Sequence, residues 1–223
     1  MDRQKHIKDY YDQFYAHAPT ERIEADTKRI NNNLENMEIK RGSRILDVGC
    51  GTGGILNYLS QKGAIPLGID ISIQALRSAK HLGSNFKLTL CNAEELPFQS
   101  NCMEGVIFMG TLEHFLDPVR ALEEAIRVTG PGSSFCIVVP NSEFFLIRWF
   151  GGTEQDQEEA FTLQEWSDLF KKTGLSICSI TRDTGPGIRT GPFIKGIVRK
   201  AVLIISSFLP LRYTYQFVFI CRE

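Results

Sequence analysis

The 223-residue sequence predicts an α/β fold, a single domain in which a mostly parallel sheet is covered by helices on both faces. Three observations carry this. Short apolar runs alternate with amphipathic segments from residue 44 onward. A glycine-rich turn, Gly49-Cys-Gly51-Thr-Gly53-Gly54, closes the first of those runs. A composition of 43% hydrophobic and 23% charged residues lets a chain of this length bury one core without disulfides or metals.

Residues 5–37 mix apolar and charged residues at helical spacing and break at Pro19, which predicts one or two helices forming a cap over residues 1–40. Arg44–Val48 is a short apolar strand, Ile55–Gln61 a helix and Ile65–Asp70 a second strand. Ser72 caps a helix running to Leu82. Phe86–Cys91 and Gly105–Met109 read as the third and fourth strands. Asp117-Pro118 pairs an N-cap with a proline at the first helical position, and that helix reaches Val128. Gly130-Pro-Gly132 turns the chain into a fifth strand, Ser134–Val139. Thr162-Leu-Gln-Glu165 is a capping box opening a helix that ends before Gly174; strands follow at Leu175–Arg182 and Tyr215–Cys221. Residues 41–182 and 213–223 thus form the core, and 183–212 an insertion.

Lys and Arg number 25 against 26 Asp and Glu, so the chain as a whole is neither a basic nucleic-acid binder nor an acidic disordered segment. The balance is uneven, because residues 181–223 hold seven Lys and Arg against two Asp and Glu. The six cysteines form no CxxC pair and sit mostly in apolar runs, as buried thiols in a reducing compartment do. The first residues, MDRQKHIKDYYDQF, are too charged for a signal peptide, and no apolar run reaches the roughly 20 residues that span a bilayer. A cytoplasmic location is expected.

The glycine turn follows a strand and opens a helix, and Asp70 ends the second strand, where a carboxylate can accept both ribose hydroxyls of an adenosine. Gly49-x-Gly51-x-x-Gly54 also satisfies the dinucleotide fingerprint. Asp47 discriminates: two residues before the first glycine it would repel a pyrophosphate and welcome a cofactor with a cationic amino-acid end. Cys91-Asn92-Ala-Glu-Glu-Leu-Pro-Phe98 is a polar turn suited to an adenine edge.

Ile45-Leu-Asp-Val-Gly-Cys-Gly-Thr-Gly53 resembles the first motif of class I S-adenosylmethionine (SAM)-dependent methyltransferases. Gly68-Ile-Asp70 resembles their ribose motif, and Asn92-Ala-Glu94 with Leu96-Pro-Phe98 their adenine motif, with Asn92 where Asp is common. Leu112-Glu-His114, Arg127-Val128, Gly130-Pro-Gly132 and Pro140-Asn141 are similar to the type 11 subgroup that contains ubiquinone- and menaquinone-biosynthesis enzymes. The resemblance covers roughly residues 40–182. It implies a Rossmann-like, doubly wound seven-stranded sheet with an antiparallel last strand, SAM as cofactor and S-adenosylhomocysteine as product. It places Asp47, Gly49, Gly51 and Gly53 near the methionine end, Asp70 on the ribose, Ile71 against the adenine, and Asn92, Ala93 and Glu94 around its amino group. Met109 is expected near the cofactor. Tyr11 and Tyr15 either close over the methionine moiety or pack their helix on the core.

Methyl transfer is an in-line displacement, for which alignment and a dry cavity matter most. His114, just beyond the fourth strand, is the candidate general base for the acceptor; the alternative is that Leu112-Glu-His114 only shapes its loop. Gly110-Thr-Leu-Glu113-His114 lacks the first carboxylate of the Glu-x-x-Glu-His arrangement of metal-binding relatives, so no metal is expected. It also lacks the Asp/Asn-Pro-Pro-aromatic motif of amino-methylating DNA enzymes, which argues against exocyclic base methylation, while an RNA or protein acceptor stays open. Ser142–Phe150 is either an apolar substrate lid or a helix packed on the sheet. Between Phe193 and Leu209 apolar residues recur at helical spacing, with Lys195 and Arg199 on another face. Residues 193–211 suit docking on the protein's own core, a membrane surface, a substrate cover or a dimer contact. The expected activity is methylation of a small molecule, an amphipathic or lipid-linked acceptor included. The alternatives are an NAD-dependent oxidoreductase on a similar sheet and a non-catalytic SAM-binding partner subunit.

Overall fold

A computed structural model describes residues 3–17, 27–144, 160–183 and 210–223. The break at Pro19, the end of the Ser142–Phe150 segment and all but the last two positions of the 193–211 stripe lie outside the described residues. Strands β1 (Arg44–Val48), β2 (Ile65–Asp70), β3 (Lys87–Leu90), β4 (Met103–Met109), β5 (Thr129–Pro140), β6 (Ser176–Asp183) and β7 (Gln216–Arg222) form one sheet in the order β3-β2-β1-β4-β5-β7-β6. The first five pair in parallel, and β7 lies antiparallel between β5 and β6. This is the Rossmann-like seven-stranded sheet with the reversed last strand.

Helices α1 (Arg3–His17), α2 (Thr27–Asn33), α3 (Gly54–Gln61), α4 (Ile73–Leu82), α5 (Pro118–Val128) and α6 (Leu163–Lys172) account for the described helical residues. Their starts obey local chemistry. Ser72 accepts the N–H of Ala75 at 3.3 Å, and Asp117 that of Arg120 at 2.9 Å ahead of Pro118. Thr162 and Glu165 make the reciprocal capping box.

Strand ends differ from the sequence pattern by a residue or two, except in β5. That strand begins at Thr129, not Ser134, because Gly130-Pro-Gly132 does not end the pairing with β4. The register instead shifts between Met103 and Gly105, so that Thr129 and Ser134 both face β4 across an irregularity.

Two apolar layers sandwich the sheet. On one face Leu46, Val48, Val106, Phe108, Phe135 and Ile137 pack against α5 and α6, with Trp166 and Phe170 fully buried. On the other, Ile45, Ile107, Cys136 and Val138 meet Ile30, Leu34, Tyr58 and Leu59. Each such side chain contributes about 1.5–3 kcal/mol through its removal from water. The layers fix the carboxyl ends of β1, β2 and β4, where the strand order reverses and a crevice opens.

Candidate functional site

The glycine turn is stitched to its neighbouring strand. The N–H groups of Gly49 and Cys50 both donate to the Ile69 carbonyl, at 2.9 and 2.8 Å, and Gly51 N–H donates to Asp70 Oδ2 at 2.9 Å. These amides are spent inside the protein and are not presented to a phosphate. Gly49 and Gly51 have φ of 70° and 51°. A Cβ on Gly49 would meet Thr111 Cγ2 at 2.6 Å, and one on Gly51 would meet the Tyr15 hydroxyl at 2.9 Å. The space that glycine leaves is therefore filled by two of the protein's own side chains. Gly53 is the residue ahead of α3 and packs on Ala79 of α4.

Beside the turn is a cavity of about 250 Å³. Gly49, Asp70 and Ile71 line it from the β1 and β2 ends, and Asn92, Ala93 and Glu94 from the loop after β3. His114 lines it from the 3-10 turn Leu112–His114 that follows β4. Tyr11 and Tyr15 of α1 form its roof with Phe14. Asp47, Gly51, Gly53 and Met109 are not on its wall; Met109 packs on the Ile107–Val138 face of the sheet. Thr111, on the wall and donating to the Val48 carbonyl at 3.0 Å, went unread in the sequence, although it lies two residues past the fourth strand. Leu116 and Phe115 also join the wall, and only the folded path of the chain reveals them.

Two carboxylates dominate the electrostatics. Asp47 is buried within β1, and its Oδ2 has no hydrogen-bond partner among the described residues. Burial, with Asp70 nearby, pushes its carboxyl up to about 8. Asp70 is also buried and is raised to about 6 by that burial, an effect restrained by the N–H groups of Ser72 and Gly51. Tyr15 is pushed well above the ordinary phenol value, first by burial and then by Asp70.

Helix α1 is fastened over the site at Asp12, whose Oδ1 accepts the Ser72 hydroxyl at 2.7 Å. The Tyr11 ring stands edge-on to His114, with centroids 6.1 Å apart. His114 Nε2 lies 3.9 Å from Glu113 Oε1. Among the described residues no group of three or more His, Cys, Asp or Glu is placed to hold a metal ion, and no helix is long and apolar enough to cross a membrane.

Residues 46–137, from β1 through the centre of β5, match the family model described as a methyltransferase domain, of the type 11 kind. The chain carries a class I SAM-dependent methyltransferase domain. The domain is 33% identical to a protein of Methanocaldococcus jannaschii over 144 residues, 64% of this chain and 54% of that one. It is 31% identical over 182 residues to the chloroplastic 2-methyl-6-phytyl-1,4-hydroquinone methyltransferase of Arabidopsis thaliana, covering 76% of this chain and 52% of the relative. The chain thus spans about half the length of these curated relatives. Among solved structures, a chain of the complex between the Haloferax volcanii Trm112 methyltransferase activator and a methyltransferase superposes with a TM-score of 0.77 at 19% identity, over 95% of this chain and 96% of that one, which establishes a shared fold. The methyltransferase domain belongs to an enzyme family whose cofactor is SAM.

Proposed function

We propose that this protein transfers a methyl group from SAM to a small molecule, with an amphipathic or lipid-linked ring as the favoured acceptor. The observation that carries the cofactor reading is the unpartnered buried oxygen of Asp47 beside a turn whose amides are already spent. A buried acceptor without a donor suits a cationic ammonium and disfavours a pyrophosphate. The Arabidopsis relative, whose named substrate carries a phytyl chain, supports the acceptor class.

When bound, SAM supplies an electrophilic methyl group. Asp47 would neutralise its ammonium, and Asp70 would accept the ribose hydroxyls on lone pairs beyond those taken by Gly51 and Ser72. Gly49, Gly51 and Gly53 shape the turn, and Ile71 packs against the adenine, with Asn92 and Ala93 around its amino group. Met109 fixes the end of β4 from the opposite face. Tyr11 and Tyr15 exclude water from the reacting atoms, and His114 accepts the proton of a hydroxyl acceptor. No metal enters this scheme.

Calorimetry with S-adenosylhomocysteine and with NADH tests the cofactor: binding of the first alone is expected, and binding of NADH alone would return the protein to the oxidoreductases. Methyl-labelled SAM offered with a metabolite panel that includes quinols tests the acceptor. His114→Gln is expected to lower turnover at saturating cofactor, and unchanged turnover would remove the base. Contact of residues 193–211 with a lipid surface or a second copy of the chain belongs to the same proposal, supported by their apolar stripe and basic face. Co-sedimentation with anionic liposomes should be lost in a Lys195/Arg199/Lys200→Glu variant.

A further inference from the structure

The loop after β3 is strapped along α5 at both ends. At the carboxyl end of the helix, Arg127 donates to the carbonyls of Leu96 and Phe98 at 2.9 and 2.8 Å, while Glu124 accepts the Leu96 N–H at 2.8 Å. Arg127 and Glu124 are themselves paired twice at 2.8 Å. At the amino end the strap is Glu94. Its Oε1 accepts the backbone N–H groups of Leu116 and Asp117, at 3.0 and 3.1 Å. Its own N–H is held by Asn92 Oδ1 at 3.1 Å, which fixes where the carboxylate stands.

Leu116 and Asp117 are the last two of the three residues between the turn that carries His114 and the first turn of α5. That 3-10 turn closes on its own backbone only as far as Phe115, whose N–H donates to the Leu112 carbonyl. The next two N–H groups take their acceptor from Glu94. A carboxyl group that accepts two backbone N–H donors on one oxygen is a strong local anchor. Oε1 is thereby taken before any adenine amino group arrives, while Oε2 accepts from Asn92 Nδ2 at 3.4 Å.

We propose that Glu94 is a positioning residue for His114, setting the His114 turn from the cofactor loop, and is not itself a cofactor ligand. The inference rests on the reading of His114 as the acceptor's base, and deepens it: the adenine loop and the base are joined through one side chain. Occupation of the Asn92–Ala93 wall would then be felt at the imidazole.

The test uses the full chain with labelled histidines, of which there are four, His6, His17, His81 and His114, and S-adenosylhomocysteine as the probe. In Glu94→Ala the His114 imidazole resonances should move while the other three stay. Calorimetric affinity for S-adenosylhomocysteine should change less than about threefold, whereas loss of a charged hydrogen bond to the ligand costs about tenfold or more. Glu94→Gln, whose amide oxygen keeps both N–H partners, should restore the His114 signals. Glu94→Asp, one methylene shorter, should reproduce the alanine result if the alanine variant folds poorly. Both Ala and Gln weakening the probe about tenfold, with His114 resonances in their wild-type positions, would overturn the proposal and make Glu94 an adenine ligand. A wild-type chain that binds no S-adenosylhomocysteine would end the methyltransferase reading instead, and the histidine signals alone would still decide the role of Glu94.

Discussion

Two carboxylates are buried to nearly the same degree at the same edge of the sheet, and their surroundings could hardly differ more. Asp183, at the end of β6, is 2% exposed, and Asp47, in β1, is 1% exposed. Asp183 accepts two bonds from Arg29 Nε, at 3.0 and 2.9 Å, and one from Asn33 at 3.1 Å, while Arg29 reaches on to Gln216. Asp47 keeps an oxygen with no partner and has a second acid, Asp70, close by. The β6–β7 end spends its charge on fastening α2 to the sheet. The β1–β2 end leaves a buried acid without a partner, which costs stability once that acid ionises.

Breaking the satisfied side should have the largest effect. Arg29→Ala leaves Asp183 buried without its cation, and the expected loss is about 3–5 kcal/mol, or a fall in Tm of about 10 °C or more by calorimetry. S-adenosylhomocysteine affinity of the folded fraction should be unchanged; a proportional loss of affinity would merge the two regions into one.

On the unsatisfied side, Asp47→Asn should weaken S-adenosylhomocysteine by about 10–100-fold in titration calorimetry. The same variant should gain stability, and the sign follows from proton counting. The Asp47 carboxyl ionises near 8 when folded against an ordinary value of 3.8. Between those values the native state holds a proton that the unfolded chain has lost, so stability declines as pH rises through that window. Asp47→Asn should therefore raise the Tm more at pH 8 than at pH 5.

The third effect is a slope. If the ammonium needs an ionised Asp47, affinity should improve from pH 6 to pH 8, by up to about tenfold per pH unit, with one proton released on binding. Calorimetry in buffers of different ionisation enthalpy measures that proton, and the slope should vanish in Asp47→Asn. The smallest effect concerns the roof. Asp12→Ala removes the hydrogen bond to Ser72, worth about 1 kcal/mol. It should speed hydrogen exchange in residues 3–17 while leaving β1 protected.

Asp47, Asp70 and the loop at Asn92 were legible because their chemistry is local: a strand, a turn and a residue type at a fixed offset. The Arg29–Asp183 pair was not, since 154 positions separate its members. Glu94 was legible as a wall residue, but its bonds to Leu116 and Asp117 depend on how α5 packs. The resemblance puts the glycine turn near the methionine end of a cofactor, and the fold fills part of the space that glycine leaves with Thr111 and Tyr15. Gly130-Pro-Gly132 was read as a turn, and tertiary pairing with β4 overrode that local preference.

The place of β7 between β5 and β6 also sets an order of assembly. β6 is made before β7, yet among the described residues its partner in the sheet is β7 alone, and residues 184–215 must first be synthesised. Until then β5 offers an open apolar edge and Asp183 has no finished socket. The parallel half, β1 to β4, draws on contacts already available, so it is the natural nucleus, and closure by β7 is the slow, long-range step. Substitutions in β7 should accordingly slow the last phase of refolding while leaving the first intact.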